Sequence, residues 1–429
     1  MTRRASPQGQ ADQPKVKAVA LAVPTFAFTG HEIIFSLFLP AWLTTQMGLN
    51  IALAGVVLFI LKLLDTLNDP IMGAISDATQ SAFGRRKIWM IRGLPIVVLS
   101  TALLFLTPMA VSTPYLLVLL FALTTGWTMV NVPHGAWALE TGRTPQESAR
   151  IFGYRTITGL IAAPCFLFAP FVLERVGFTD TRLHMAVMAI LIIISLPISL
   201  LILARQVADQ SGKGPLSIRL IMKDYVSIIF NRNNFYLIAM FYMAGIGFSI
   251  HSGLSIFLIH HTFLLSQWTN SFLFMQTIFG IIGIFIWIKL QSATGTIRTL
   301  NIVIFLLIAL AILLLILPSG NFTLYMAFSA IKGLSTGALF MILRVILSQS
   351  IKGTSQNNKA GTHYAAYHLV FNLAAALTTF AVFLGLSLLG FDPKGPENPD
   401  HGIALRAVAG AGELIVALGL LVLSRKLRT

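Results

Sequence analysis

The sequence predicts an all-α polytopic membrane protein with about twelve transmembrane helices. Of its 429 residues, 56% are hydrophobic and only 10% are charged, and the mean hydropathy is +0.81. Soluble domains carry roughly 25% charged residues, so this chain has too few to cover a surface that faces water. Apolar runs long enough to cross a bilayer, about 20 residues each, recur along its whole length.

Polar breaks between the apolar runs define the predicted spans. They fall near residues 18–45, 50–77, 88–109, 113–140, 150–173, 183–205, 235–260, 268–291, 298–318, 322–350, 362–390 and 402–424. The longest interior polar stretch divides them into two sets of six. We therefore expect a cytoplasmic N-terminal tail (1–17), an N-terminal six-helix bundle (18–205), a central cytoplasmic loop (206–234), a C-terminal six-helix bundle (235–424) and a cytoplasmic tail (425–429).

The net charge of +15 arises from basic residues in the loops on one side of the spans, such as "SAFGRRK" and "ETGRTPQESAR". Loops on the other side are nearly neutral or acidic. This is the positive-inside pattern, so we expect both termini in the cytoplasm and the chain in a bacterial inner (plasma) membrane. We expect the protein to contact membrane lipid and not to bind nucleic acid. The single cysteine, Cys165, excludes an internal disulfide.

The segment "KLLDTLNDPIMG", residues 62–73, places acidic side chains inside an apolar span. On a helix, Asp65, Asn68 and Asp69 share one face because they are three and four residues apart. Each aspartate costs on the order of 2.5–3.5 kcal/mol at the bilayer centre on insertion scales. Two carboxylates and an amide oxygen suit a hard cation, and protonation of one aspartate serves equally well. The structural alternative is a pair with Lys62.

The stretch "LLDTLNDPIMGAISDATQSAFGRRKIW" resembles the signature of the glycoside–pentoside–hexuronide:cation symporters, the melibiose-permease-like branch of the major facilitator superfamily. "NVPHGAWALETGRTPQESARIFGYR" (131–155) resembles the end of the family's fourth span and the loop after it. The resemblance implies the major facilitator fold, with two pseudo-symmetric six-helix bundles. It also implies secondary active transport by alternating access, in which a small organic solute, a sugar or glycoside, moves together with Na⁺ or H⁺. We expect no cofactor besides the coupling ion, no enzyme activity, and a monomer.

By this resemblance the coupling cation binds at Asp65, Asn68, Asp69 and Thr128, and no other metal site is expected. The candidate substrate-binding residues are polar or aromatic side chains of the first, fourth, fifth and eleventh spans: Thr29, Glu32, Trp127, Asn131, Arg155 and Asn372. The candidate gating residues lie at the end of the second span and in the loop after it: Gly73, Asp77, Gly84, Arg85 and Arg86.

Each candidate has a structural alternative. Trp127 fits packing or an interface anchor, and Arg155 fits a side chain that extends to the cytoplasmic surface. The basic loop 84–87 fits simple marking of topology. The three histidines of the seventh span, His251, His260 and His261, are interpreted as hydrogen-bonded structural residues rather than proton switches.

The sequence departs from the family pattern at the substrate positions. Sugar-transporting members have an aspartate at the positions of Thr29 and Asn131 and a lysine at the position of Asn372. Removing one partner of a buried pair costs about 3–5 kcal/mol, whereas losing both is tolerated. The fold is therefore expected to survive while the sugar chemistry changes. A lipid or amphiphile carrier of the same superfamily, or a transport-inactive sensor or assembly protein on this fold, stays open as an alternative.

Overall fold

The chain, seen in a computed structural model, is built from helices joined by short turns in the residues that the structure describes. These are residues 7–107, 112–142, 144–209, 218–335, 337–351, 360–394 and 399–427. The α-helices are α1 (Pro7–Ala22), α2 (Thr25–Ile33), α3 (Leu39–Thr45), α4 (Ile51–Ala78), α5 (Lys87–Phe105), α6 (Thr113–Thr141), α7 (Pro145–Arg175), α8 (Thr181–Gln206), α9 (Ile218–Ile229), α10 (Phe235–Phe257), α11 (Thr269–Thr294), α12 (Thr296–Ile316), α13 (Phe322–Ser335), α14 (Ala338–Ile351), α15 (Ala360–Leu388) and α16 (Pro399–Ser424).

Within the described residues, 12 helical segments are long and apolar enough to cross a membrane. Their bounds are Lys15–Thr45, Ile51–Ala78, Lys87–Phe105, Thr113–Thr141, Arg150–Arg175, Thr181–Gln206, Phe235–Thr262, Ser266–Thr294, Thr296–Ile316, Phe322–Ser350, Ala365–Leu388 and Gly402–Ser424. Each coincides with a predicted span to within a few residues. The predicted all-α polytopic fold is confirmed.

Several spans depart from a regular α-helix. A π-helical segment, Ile34–Phe38, joins α2 to α3 in the first span, and another, Leu258–Thr262, follows α10 in the seventh. The tenth span consists of α13 and α14, between which Gly337 has a φ of +83°. Positive φ is readily adopted by glycine because it has no Cβ. The tenth span is therefore a discontinuous helix.

The described chain divides into two compact units. Unit 1 is Met1–Ile34, Leu67–Pro170 and Asp180–Ile218, and unit 2 is Phe35–Thr66, Phe171–Thr179 and Arg219–Thr429. In unit 1, α5 packs against α6 and α8. In unit 2, α10 packs against α15 and α16, α11 against α13, and α12 against α16.

The boundaries predicted for the two bundles and their connections stay a prediction. The central loop predicted at 206–234 contains the helix α9, and α1 begins within the predicted N-terminal tail. Residues 1–6, 210–217 and 428–429, which belong to the predicted tails and central loop, lie outside the described residues.

The helices α11 and α13 of unit 2 approach each other very closely. A Cβ atom on Gly333 would lie 2.3 Å from the carbonyl oxygen of Gln276, and one on Gly283 would lie 2.3 Å from the carbonyl oxygen of Leu334. Small residues allow helix backbones to meet at such distances in membranes, where packing rather than the hydrophobic effect drives association. The two glycines therefore fix the position of α13 on α11.

Candidate functional site

The predicted acidic face is present on α4, which is a continuous helix. Asp65, Asn68 and Asp69 are all half-buried. Pro70, inside the same helix, has no N–H to donate to the carbonyl oxygen of Thr66 four residues earlier. One turn of α4 thus carries carboxylate, amide and carbonyl oxygens together. In the described part of the chain, no group of three or more His, Cys, Asp or Glu side chains is arranged to hold a metal ion.

Thr128 lies on α6, which passes beside the part of α4 that belongs to unit 1, from Leu67 onward. A Cβ atom on Gly73 of α4 would lie 3.9 Å from Cγ1 of Val132 on α6. Asp69 precedes Gly73 by one turn and Thr128 precedes Val132 by one turn, and alternate spans run in the same direction. Thr128 is buried, and its hydroxyl donates to the carbonyl oxygen of Thr124 at 3.1 Å. Asp69 and Thr128 therefore lie at a similar level on neighbouring helices.

Trp127, a candidate substrate contact, is buried in an aromatic cluster of unit 1. Its indole ring stacks on the imidazole of His31, with centroids 3.6 Å apart and planes within 6°. Phe28 meets the indole edge-on at 5.2 Å. One face of Trp127 is thus used to pack α2 against α6, and its contact with a substrate stays a prediction.

The other candidate substrate residues differ in exposure. Thr29 is half-buried on α2 and faces α7, since a Cβ atom on Gly159 would lie 3.3 Å from its hydroxyl oxygen. Glu32 is exposed, while Asn131 and Arg155 are half-buried. These residues all belong to unit 1. Their role in binding stays a prediction.

Arg86, a candidate gating residue, connects the ends of α4 and α6. Its guanidinium donates to the Ser76 hydroxyl at 2.5 Å, to the Asp77 carboxylate, and to the Glu140 carboxylate at 2.6 Å. Arg85 forms a second ion pair with Glu140 at 2.7 Å. The side chains of Arg86 and Arg85 are 3% and 9% exposed. The structure thus brings Asp77, Arg85 and Arg86 together around Glu140, which the sequence placed in the next cytoplasmic loop region.

The loop before α5 is held by Asp209, a residue that the sequence analysis missed. Gly84 has a φ of +96°, and a Cβ atom there would lie 2.3 Å from Oδ2 of Asp209. The same oxygen accepts hydrogen bonds from the backbone N–H groups of Arg86 and Lys87, at 2.7 and 2.8 Å. These N–H groups stand at the N-terminus of α5, where a carboxylate is favourable.

A buried charged cluster in unit 2 was also missed. Lys332 Nζ on α13 lies 2.6 Å from Oε2 of Glu413 on α16, and both side chains are 9% exposed. His251 Nδ1 on α10 lies 3.5 Å from Oε1 of Glu413. An ionisable residue inside an apolar run is itself a signal of function, and both Lys332 and Glu413 carry that signal. The candidate Asn372, also in unit 2, is buried on α15, and its role stays a prediction.

The described residues combine 12 apolar spans, charged residues inside those spans and an ion-paired loop between the second and third, which is the architecture of an integral membrane protein of the major facilitator type. The chain belongs to the family described as MFS/sugar transport protein, whose model matches residues 20–426. The expected symporter family resemblance is confirmed at this level, and members of this class are transporters rather than enzymes.

Several relatives are named as symporters. The chain is 34% identical over 138 residues to an uncharacterized symporter, sll1374, of Synechocystis sp., a match covering 30% of this chain and 25% of the relative. It is 22% identical over 405 residues to the uncharacterized symporter YjmB of Bacillus subtilis, covering 89% and 86%. A glucuronide carrier protein homolog of Escherichia coli is 25% identical over 137 residues, covering 31% and 30%. The first and third matches thus span about a quarter and a third of the relatives' lengths.

Solved structures of similar fold include proteins described as transporters. The nucleoside transporter NupG superposes with a TM-score of 0.65 at 14% identity, covering 97% of this chain and 100% of that one. A bacterial homolog of the human lysosomal transporter Spinster, in an inward-facing and unoccupied conformation, gives 0.67 at 14% identity, covering 98% and 96%. At these identities the similarity establishes the major facilitator fold.

Proposed function

We propose that this protein is a secondary active transporter in which Na⁺ or H⁺ moves together with a small organic solute, a sugar or glycoside, by alternating access. The coupling ion binds at Asp65, Asn68 and Asp69 of α4, with Thr128 of α6 as a further ligand. Coupling requires only that ion and solute each favour the same conformational state, because their binding is reciprocally linked. No other cofactor takes part.

The observation that carries this proposal is the concentration of oxygen atoms on one turn of α4. Two carboxylates in an apolar span cost roughly 5–7 kcal/mol together on insertion scales, which a bound positive charge offsets. Na⁺ prefers hard oxygen ligands of the kind that these side chains supply. The carbonyl of Thr66, to which Pro70 has no N–H to donate, lies on the same turn.

The contacts of Arg86 suit a role as a gate at the predicted cytoplasmic ends of α4 and α6. Arg86 binds Asp77 and Glu140 simultaneously. Ion pairs that close one end of a transporter in one state and separate in another are a known basis for switching between discrete arrangements. In this proposal the ion at α4 biases the same two states that the Arg86 contacts distinguish.

The test is uptake into proteoliposomes, with and without an imposed Na⁺ or pH gradient. Methyl β-glucoside and methyl β-glucuronide are the solutes, since the family transports sugars and one relative is a glucuronide carrier homolog. Asp65→Asn and Asp69→Asn are expected to abolish gradient-driven accumulation, because an amide neither carries the negative charge nor takes up the proton. Asp180→Asn, at the exposed N-cap of α8, is the control and is expected to accumulate solute normally.

A binding measurement complements uptake. The melting temperature of the purified protein is expected to rise with NaCl relative to choline chloride, or to fall with rising pH if H⁺ is the coupling ion. Asp69→Asn removes either response. Full concentrative uptake by both aspartate variants would refute the assignment of the ion to α4.

A further inference from the structure

A cavity of about 100 Å³ lies within unit 2 beside the charged cluster. Its wall contains the three groups His251, Lys332 and Glu413, together with apolar and aromatic side chains such as Phe248 and Phe340. A mostly apolar cavity with a few convergent polar groups is the usual form of a small-molecule site. The proposed ion site on α4 includes none of these residues.

The ion pair in this wall is a poor stabilising element by itself. Burying two charges costs several kcal/mol each, and well-packed apolar residues in their place are often neutral or stabilising. The stability of the fold therefore does not explain why Lys332 and Glu413, which are only 9% exposed, are charged residues. Ionisable residues inside membrane spans commonly mark the path of a substrate or proton.

His251 provides Glu413 with a second partner. Its Nδ1 atom faces Oε1 of Glu413 at 3.5 Å, and its Nε2 atom lies 2.8 Å from the amide nitrogen of Gln276. In that arrangement the Gln276 amide donates to Nε2, so the ring is neutral and its proton is on Nδ1, directed at Glu413. The cluster thus has one lysine charge, one carboxylate charge and a net charge of zero.

The break in the tenth span adds positive potential to the cavity. Gly337, Leu339 and Phe340, at the start of α14, line the same cavity as the ion pair. A helix N-terminus carries partial positive charge and favours an anion. Discontinuous helices line the substrate sites of many secondary transporters.

We propose that this cavity binds the carboxylate group of the transported solute, with Lys332 as its ligand and Glu413 as the resident counter-ion that the carboxylate displaces. This inference rests on the proposed transport function and assigns the solute to the acidic class. A carboxylate that replaces Glu413 on Lys332 leaves the cluster with one excess negative charge. A proton taken up by the Glu413–His251 pair restores neutrality, so the solute enters with one proton at this site.

Several groups of the described residues face this pair. Lys332 approaches Glu413 from α13, His251 from α10 and Gln276 contacts His251 from α11. Tyr325, also on α13, is buried and close enough to interact electrostatically with Glu413. Among these, Glu413 and His251 are the groups able to accept the proton.

The primary test uses Glu413→Gln in the full-length protein. The substitution removes the carboxylate charge that Lys332 binds, so the variant is expected to melt below wild type in chloride buffer and to recover with acetate or glucuronate. Glucose, which carries CH₂OH in place of the carboxylate, is expected to give no recovery. Inorganic phosphate tests whether any small oxyanion suffices. The double variant Lys332→Gln/Glu413→Gln carries no stranded charge and is expected to fold and to respond to no anion.

The proton is tested by the pH dependence of glucuronate binding. In wild type the affinity for glucuronate is expected to rise about tenfold for each unit by which the pH falls, because one proton is coupled to binding. In Glu413→Gln the affinity is expected to be at least tenfold higher than in wild type and nearly independent of pH. A Glu413→Gln protein that is insensitive to both carboxylates, or that keeps the wild-type pH dependence, overturns this inference. Gradient-driven uptake of neutral sugar alone would overturn it and leave the proposed coupling at α4 intact. Carboxylate binding without gradient-driven uptake would support the carboxylate site in unit 2 and overturn the proposed coupling at α4.

Discussion

The Oδ2 atom of Asp209 lies 2.7 Å from the backbone nitrogen of Arg86, and the two residues are 123 positions apart in the chain. The segment after the sixth span therefore holds the beginning of the third span and, through Arg86, the ends of the second and fourth. Lys87 strengthens this connection because its ammonium donates to the carbonyl oxygen of Ala204 at 2.9 Å. The loop predicted to act as a gate is thus fixed by backbone and side-chain bonds together.

Gly84→Ala is expected to destabilise this loop strongly. The substitution places a side chain at a φ of +96° and puts its Cβ atom 2.3 Å from Oδ2 of Asp209. The backbone strain alone costs about 1–2 kcal/mol, and relief of the clash costs the two hydrogen bonds that Asp209 accepts.

Gly177→Ala is the matched control, because Gly177 has a φ of +94° and nothing within 4 Å of its would-be Cβ atom. Urea or thermal unfolding of the detergent-purified variants measures the difference, which we expect to favour Gly177→Ala by about 1–3 kcal/mol. Equal losses for the two variants would mean that the contact with Asp209 contributes nothing.

Arg86→Ala is expected to cost more than Arg85→Ala. Loss of Arg86 deprives Asp77 of its ion pair and leaves Glu140 with Arg85 alone. Removing one partner of a buried pair costs about 3–5 kcal/mol, and since the Glu140 side chain is 29% exposed, solvent screening shifts the expectation toward the lower figure. Arg85→Ala leaves Glu140 bound to Arg86 and is expected to cost about 1 kcal/mol or less.

Unfolding measurements on the two single variants and on the double variant form a thermodynamic cycle. We expect the double variant to lose more than the sum of the singles, because only then is Glu140 without either arginine. Strict additivity would show that the two arginines act independently.

The spans could be predicted from the sequence because the bilayer imposes long apolar helices with polar breaks, and those are visible in a single chain. The acidic face of α4 was predictable for a similar reason, since Asp65, Asn68 and Asp69 lie within one turn of one helix. The partners of Arg86 were partly predictable, because Asp77 is only nine residues away.

Contacts between segments that are distant in the chain could not be predicted from the sequence. Lys332 and Glu413 are 81 residues apart, and each occurs as a single charge in an apolar run, so nothing identifies them as a pair before the helices are packed. The sequence did not single out Asp209, because this residue lies in a polar stretch where acidic residues are common. The discontinuity of the tenth span was not predicted either, because the short stretch "KGLSTG" lies inside a long apolar run and glycines are tolerated in membrane helices.

Gly333→Ala is expected to disrupt the crossing of α11 and α13, which also positions Lys332. Its Cβ atom would meet the backbone of Gln276 at 2.3 Å, and a backbone atom cannot rotate away as a side chain does. Overpacking of this kind costs typically 1–3 kcal/mol or more. Gly385→Ala on α15 is the control, since nothing lies within 4 Å of the corresponding position.

The two glycine variants are compared by melting temperature and by the acetate response of each in the Glu413→Gln background. Gly333→Ala is expected to melt lower and to lose the response, while Gly385→Ala keeps both properties. A Gly333→Ala protein as stable as wild type would show that α13 shifts freely on α11.

Glu174→Gln tests a buried carboxylate of unit 2 that accepts several hydrogen bonds. The Glu174 side chain is 1% exposed. Its Oε2 accepts from the backbone and side-chain nitrogens of Asn270 at 2.6 and 3.2 Å, and its Oε1 accepts from the backbone nitrogen and hydroxyl of Ser271 at 2.9 and 2.6 Å. These N–H groups begin the eighth span. In Gln, an NH₂ group replaces one of the two carboxylate oxygens. The hydrogen bonds to that oxygen are lost, and the NH₂ group faces the N–H or O–H donors that made them.

Hydrogen bonds to a charged group contribute about 1.5–3 kcal/mol each, and we expect Glu174→Gln to lose at least that amount in unfolding experiments. Ser271→Ala removes one of the four bonds from Asn270 and Ser271, while the contact with Arg175 at 3.3 Å stays, and it is expected to lose about half as much or less. Asp180→Asn, which affects a single exposed cap bond to Arg182, is expected to stay within about 0.5 kcal/mol of wild type. If Glu174→Gln and Asp180→Asn have the same free energy of unfolding, the hydrogen bonds that Glu174 accepts do not contribute to stability. If the order is instead Glu174→Gln, Ser271→Ala and Asp180→Asn from largest loss to smallest, the carboxylate at the end of the fifth span secures the start of the eighth.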